Sequence, residues 1–241
     1  MLKLSHVSVK SGWSAGLNDI SLTAQTGEVV AIIGPNGSSK SLLCRTIADP
    51  DIGFNGQIII NHFDARREPD KTKRQVGYAA AERQMEPYLT GFEYLELIGS
   101  FCQLAPGVRE RQILTLAEQF GCVGELYTLG ERQTLALNQK IRLIASLLAE
   151  PPLVVWDEPT LFLDELGRQQ VMLSVKKLAK NGTTVVMATN DVALAETIAD
   201  RIVVMMGGQV LTEGTVGQIN QLAGTPRRDL AAAFRHLTAH D

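Results

Sequence analysis

Two short stretches carry residues of the right type and spacing for chemistry on a polyphosphate. The first, GPNGSSKSLL at 34–43, has the spacing G-x-x-x-x-G-K-[ST], with Ser39 standing where the last glycine belongs. In such a loop main-chain N–H groups and a helix N-terminus face an anion, and only small residues let the chain approach that closely. Gly34, Pro35, Asn36, Gly37, Ser38 and Ser39 make up the loop, and Leu42 belongs to the helix it opens. Lys40 is placed to meet the β- and γ-phosphates of a nucleotide, and Ser41 to ligate Mg²⁺. The second stretch, LVVWDEP at 153–159, ends an apolar run on two carboxylates. Asp157 is placed to hold the Mg²⁺ shell and Glu158 to polarise an attacking water. An acidic pair at a strand end is weakly specific alone; beside the loop it is strong.

The elements around these stretches give the motif its context. EVVAIIG, rich in β-branched residues, reads as a buried strand before the loop, and SKSLLCRTIA has helical spacing after it. Upstream, LKLSHVSVK and NDISLTAQ alternate as strands. FNGQIIIN reads as a strand after an Asn-Gly turn, and the chain from there to VGYAAAERQ reads as charged loop. From TGFEYLELIGSFCQL to about residue 150 the pattern is helical, with a boundary at Ala105-Pro106-Gly107. After PPLVVWDEP come a helix closed by Asn181-Gly182, the strand TTVVMATND, the helix ALAETIAD and a hairpin turning at Gly207-Gly208. The tail from 217 to 241 reads as short helices.

Length and composition narrow the class. A chain of 241 residues with 45% hydrophobic and 20% charged residues suits one α/β domain with an insertion and excludes a disordered protein. No apolar run approaches the ~20 residues that span a bilayer, and the N-terminus lacks a signal-peptide core. A net charge of −3 argues against broad nucleic-acid binding; the basic runs at 67–75 and 226–229 read as solvated loops. Cys44, Cys102 and Cys122 show no metal-ligand spacing and are expected as buried, reduced thiols.

With GPNGSSKS, a helical stretch, LLAEPPLVVWDEPTLFLD and TTVVMATND in this order, the chain resembles the nucleotide-binding subunit of an ABC transporter over essentially its whole length. EPYLTGFEYLELIGSFCQL and DLAAAFRHLT are similar to the drug-, sodium- and cytochrome-maturation-type exporters of that family. The resemblance implies the P-loop ABC-ATPase fold: α/β, a mixed sheet core with an antiparallel β edge and an inserted helical subdomain. It implies a single nucleotide-binding domain over 1–241, with the core at about 1–83 and 151–216, the helical subdomain at about 84–150 and a helical tail at about 217–241. It further implies Mg-ATP held between two subunits, transmembrane permease partners, and a peripheral place on the cytoplasmic face of a membrane, the inner one in a bacterium. The dimer is either a homodimer or a heterodimer with another ABC ATPase.

Carried over by position, four elements depart from the family pattern. Ser39 replaces a glycine. Ala81, in VGYAAAERQ, stands where the family has a metal-sensing glutamine, and Gln84 follows three positions on. The signature LSGG-x-x-Q-R falls on QTLALNQK, so that Thr134, Leu135 and Ala136 replace Ser-Gly-Gly, with Gln139 and Lys140 kept. Asn190 stands at the switch histidine, and the four histidines of the chain, His6, His62, His236 and His240, lie elsewhere. Asp164, in TLFLD, matches the residue that faces the dimer partner. Trp13 is the candidate for stacking on adenine, although the usual position falls at Ser11. The expected outcome is an ATP-binding subunit with slow or partner-dependent hydrolysis. The competing expectation is a non-catalytic assembly subunit that docks a permease or a second, complete ATPase.

Overall fold

The computed structural model describes residues 1–10, 16–81, 86–225 and 229–238. Strands β1 (Leu2–Val9), β2 (Leu17–Ala24), β4 (Asn55–Ile60) and β5 (Phe63–Asp64) form an antiparallel sheet in the order β2-β1-β4-β5. A six-stranded sheet takes the order β10-β9-β3-β8-β7-β6, from β3 (Val29–Ile33), β6 (Val76–Ala79), β7 (Leu153–Asp157), β8 (Thr184–Ala188), β9 (Arg201–Met206) and β10 (Gln209–Gly214). Its strands are parallel except β10, which turns back on β9 across Gly207-Gly208 as the sequence leads one to expect. This is the mixed α/β core with an antiparallel part that the motifs imply.

Period-2 alternation divides the core between the two faces of the large sheet. Val29, Ala31 and Ile33 of β3 join Val154, Trp156, Val185 and Met187 on one face. Against it pack α3 (Gly91–Phe101), α4 (Pro106–Gln119), α5 (Leu135–Leu147), α6 (Glu165–Lys180) and α7 (Val192–Ile198). Val30, Ile32, Val155 and Val186 face the other way, toward α1 (Lys40–Ala48) and the antiparallel sheet. Strands β3, β7 and β8 are buried along their whole length, which is why they read as unbroken apolar runs. Fully buried Trp156 donates from its indole to Ser146 Oγ at 2.9 Å, pinning β7 to α5. Two helices, α8 (Val216–Leu222) and α9 (Leu230–Thr238), close the chain. Among the described residues no helix is long and apolar enough to cross a membrane.

Three local expectations are corrected. Asn55-Gly56 is not a turn but the start of β4, where a Cβ on Gly56 would meet the His6 carbonyl oxygen at 2.2 Å. The glycine is therefore set by close strand packing opposite an irregular stretch of β1. The supposed charged loop contains β5 and α2 (Pro69–Lys73), the helix opened by Pro69 and supported by a Lys71–Glu68 ion pair at 2.7 Å. Elements this short leave little periodicity to read. Cys102 is exposed just beyond the end of α3, whereas Cys44 and Cys122 are buried; all three are free thiols.

Candidate functional site

The parallel strands β3, β7 and β8 all end on the same side of the sheet, and the chemistry-bearing residues follow those ends. After β3 the chain turns tightly: a Cβ on Gly34 would sit 2.3 Å from the Met205 carbonyl oxygen and 2.6 Å from Ser38 Oγ. Only glycine lets the loop lie on β9 at that point. Ser39 then adopts φ 70° and ψ 22°, the left-handed region, and its carbonyl accepts the first helical bond, from Leu43 at 3.0 Å. That conformation costs a residue with a Cβ roughly 1–2 kcal/mol. Its hydroxyl is buried with no hydrogen-bond partner among the described residues. Crowding from the extra Cβ is what the sequence leads one to expect; the structure adds a strained backbone and an unpaired hydroxyl.

Lys40 is buried at the base of the loop, with Nζ donating to the carbonyls of Gly34 at 2.8 Å and Pro35 at 3.1 Å, and lying 3.4 Å from Ser38 Oγ. Burial lowers its pKa, opposed by the carboxylates of Glu158 and Asp157. Asp157 ends β7. Burial pushes its carboxyl up, while the Ser41 hydroxyl, the Lys40 charge and the Ala81 amide pull it down, with a net rise. Its Oδ1 is buried and unpartnered among the described residues. An orphaned carboxylate oxygen beside a serine hydroxyl suits a hard cation with oxygen ligands. The loop and the Lys40 ammonium suit the phosphates such a cation accompanies. The residues present thus fit both Mg²⁺ and a nucleoside triphosphate.

Glu158 has φ 49°, which turns its side chain out of the strand line toward the end of β8. Oε1 accepts from the Asn190 amide at 2.8 Å and Oε2 from Thr189 Oγ1 at 3.3 Å. Burial raises its carboxyl, offset by the Asn190 amide and Lys40 and reinforced by the Asp157 charge. Asn190 Nδ2 donates to Asn36 Oδ1 at 3.1 Å, so the end of β8 is tied to the phosphate loop. Residues 36–42, Glu158 and Asn190 line a cavity of about 310 Å³. Glu158 and Asn190 also border a second cavity, of about 650 Å³, which Ala81, Leu163 and Arg168 help to line.

The structure therefore brings Lys40, Ser41, Asp157, Glu158 and Asn190 together. It does not bring Thr134, Ala136 or Asp164 to the lining of that cavity. Thr134 caps α5, accepting from the Leu137 amide at 3.1 Å, with Leu135 exposed and Ala136 half-buried. Asp164 caps α6 and accepts from the Gly167 amide at 2.8 Å. Trp13, Ser11 and Gln84 lie outside the described residues.

In the sequence Gln139 reads only as the polar end of a signature. In the fold Gln139 is fully buried, and its Nε2 donates to the carbonyls of Glu158 and Pro159, both at 3.1 Å. Arg142 holds its Oε1 at 2.6 Å. The available signal was the i, i+3 spacing of Gln139 and Arg142 on the buried side of α5. Arg168 and Asp191 form an ion pair between α6 and the start of α7, and the pair also escapes sequence reading.

A phosphate loop between a parallel strand and a helix, facing an acidic strand end, defines a P-loop nucleotide-binding protein. The ABC transporter family model matches residues 17–161, and the chain belongs to that family. The daunorubicin resistance ATP-binding protein DrrA3 of Streptomyces coeruleorubidus is 31% identical over 222 residues, covering 91% of this chain and 69% of that one. The ABC-type transporter ATP-binding protein EcsA of Bacillus subtilis (strain 168) is 27% identical over 225 residues, covering 93% and 91%. A solved ATP-binding subunit of an ABC transporter superposes with a TM-score of 0.90 at 27% identity, over 99% of both chains. A dimeric post-hydrolysis state of the cassette MJ0796, bound to ADP and Pi, superposes with a TM-score of 0.81 at 26% identity, over 89% of this chain and 98% of that one. The resemblance drawn from the motifs and the fold class it implied are both borne out.

Proposed function

We propose that this ATP-binding subunit holds Mg-ATP in the 310 Å³ cavity at an interface with a second ATPase subunit, and that it hydrolyses ATP slowly or only with a partner's help. The observation that carries this reading is an asymmetry in the site. Lys40, Ser41, Asp157 and Glu158 converge, whereas Ala81 offers only a methyl group and the Asn190 side chain is bonded to Asn36.

When bound, the metal would supply charge neutralisation at the phosphates, and Ser41 and Asp157 would hold it. Lys40 would turn from its own loop carbonyls to the phosphate oxygens. Glu158, kept partly desolvated, would orient a water and accept its proton. Asn190 can donate a hydrogen bond to a terminal phosphate oxygen but cannot carry positive charge. Losing such transition-state contacts costs orders of magnitude in rate, since each 1.36 kcal/mol is about tenfold.

The helices at about 84–150 read as the family's helical subdomain. Their surface exposes Tyr88, Phe101 and Tyr127 by 84%, 73% and 63%, and aromatic residues are enriched at binding interfaces. These exposed aromatic residues support docking of a transmembrane permease, and with it a peripheral place on the cytoplasmic face of a membrane. The dimeric MJ0796 cassette supports the two-subunit interface.

Equilibrium binding of radiolabelled ATP with and without Mg²⁺, beside steady-state phosphate release, tests the proposal. Saturable Mg²⁺-dependent binding abolished by Lys40→Ala, with turnover well under about 1 s⁻¹, is the expected result. Turnover by the isolated chain at the ~10 s⁻¹ typical of enzymes overturns slow hydrolysis. The strained Ser39 favours the second reading, a non-catalytic assembly subunit. Lys40→Ala and Glu158→Gln variants that both assemble and both sustain cellular function would establish it.

A further inference from the structure

A cleft of about 590 Å³ opens between α4, the end of α5 and the end of α6, within the ~300–1,000 Å³ range of small-molecule sites. It lies at the opposite end of the sheet from the nucleotide cavity. Pro151 and Thr183, on its wall, lead into β7 and β8, whereas Asp157 and Asn190 follow the far ends of the same strands, about 13 Å along at ~3.3 Å per residue. It shares no lining residue with the phosphate-loop cavity.

Leu116, Leu147 and Leu178 give the cleft an apolar floor. Arg111, Thr115 and Gln119 succeed one another at i, i+4 and i+8 on α4, a row about 12 Å long at 1.5 Å rise per residue. The polar groups differ along that row. At one end Gln112 Nε2 donates to Glu150 Oε1 at 3.2 Å, which leaves Gln112 Oε1 buried and unpartnered among the described residues. At the other end Gln119 donates to Ser174 Oγ at 2.5 Å and accepts from Lys177 Nζ at 3.1 Å, so the ammonium stands over the rim with donors to spare. Arg111, also on the rim, makes no ion pair among the described residues. Two cations against one carboxylate leave the rim positive.

The complementary molecule is elongated: an apolar body over the leucines, an anionic head at Lys177, and an N–H or O–H donor at the Glu150 end. A donor at that end meets the Glu150 carboxylate beside the unpartnered Gln112 Oε1, two acceptors in one place, and a buried acceptor without a partner is costly. We propose that this cleft is a binding site for a small organic anion of that kind, separate from the nucleotide site and lying between α4 and α6.

6-(p-Toluidino)naphthalene-2-sulfonate, whose sulfonate and amine N–H lie on opposite sides of the naphthalene, has all three parts and serves as the probe, titrated by fluorescence into the full chain with Mg-ATP at saturation. The expected result is a single saturable phase. Lys177→Glu, at the anionic head, should weaken it tenfold or more, Arg111→Glu, at the far end of the row, severalfold, and Thr115→Trp, which fills the cleft, should abolish it. Far-UV circular dichroism and the thermal midpoint establish that each variant is folded; the two charge changes are on the surface and test the site even if Thr115→Trp is unstable. Phe101→Ser, which removes an exposed aromatic ring at the end of α3, should leave the titration unchanged. Fluorescence that survives both charge reversals, or that is lost in Phe101→Ser, or that appears only when Mg-ATP is left out, overturns the proposal.

Discussion

Asn190 and Asn36, 154 residues apart in sequence, join side chain to side chain at 3.1 Å and so link the end of β8 to the phosphate loop. The same Asn190 gives its amide to Glu158. One residue therefore touches both the loop and the candidate general base, yet its side chain stays neutral at every physiological pH.

Replacing it with histidine, whose ordinary pKa is ~6.5, restores a group able to hold positive charge beside the terminal phosphate. The cavity beside Ala81 has room for a glutamine. The Ala81→Gln/Asn190→His double variant should raise steady-state ATP turnover at least tenfold, about 1.4 kcal/mol of barrier, with each single change giving less. Phosphate release at saturating Mg-ATP measures it. An unchanged rate would place the limitation elsewhere, at Leu135 and Ala136 of the signature stretch.

Ser39→Gly addresses the loop itself. The left-handed backbone costs serine roughly 1–2 kcal/mol, and glycine gives back about 0.5–1 kcal/mol of that through the entropy of the unfolded chain. Removing the unpaired hydroxyl adds to the gain. The variant should be more stable by about 1 kcal/mol in urea unfolding and should bind ATP more tightly. A loss of affinity would mean that the Ser39 hydroxyl itself contacts the nucleotide.

How far such features can be read from sequence depends on whether they are local. Lys40, Ser41, Asp157 and Glu158 are set by fixed spacing next to apolar runs, so motif and fold class are both legible. The substitution at Ser39 is legible, but its φ of 70° is not, because the backbone angle follows from how β3 feeds α1. The grip of Gln139 on the Glu158 and Pro159 carbonyls, and the Asn36–Asn190 bridge, exist only once α5 and β8 are packed beside β7. Asn55-Gly56 misleads for a related reason. The pair commonly marks a turn, but here the glycine answers a close approach by β1 that nothing nearby in sequence announces.

The raised carboxyl of Glu158 predicts a pH-dependent stability. Burial favours its protonated form in the folded state, so it contributes most stability below its ordinary value of 4.5 and loses that contribution as pH rises through the folded value. Glu158→Gln removes the penalty. Its thermal midpoint should exceed that of the parent at pH 7, with the difference shrinking toward zero near pH 4. Differential scanning calorimetry across that range reads it, and a difference that grows on acidification would reverse the assigned sign.

Gln139 offers the most direct test of how α5 supports the site. Gln139→Leu keeps the helix and roughly the volume but strands the Pro159 carbonyl, leaves the Glu158 carbonyl with the Leu161 amide alone, and removes the Arg142 guanidinium's contact with Oε1. An unpaired buried group costs about 1–3 kcal/mol, so unfolding free energy should fall by about that much, partly offset by relaxation. The freed Glu158-Pro159 segment should also misplace the carboxylate. Turnover should therefore drop severalfold while the affinity for Mg-ATP, set by the loop, changes little. Denaturant unfolding, ATP binding and phosphate release on the same preparation separate these effects, and an equal loss of affinity and turnover would mean that the whole cavity, and not Glu158 alone, rests on Gln139.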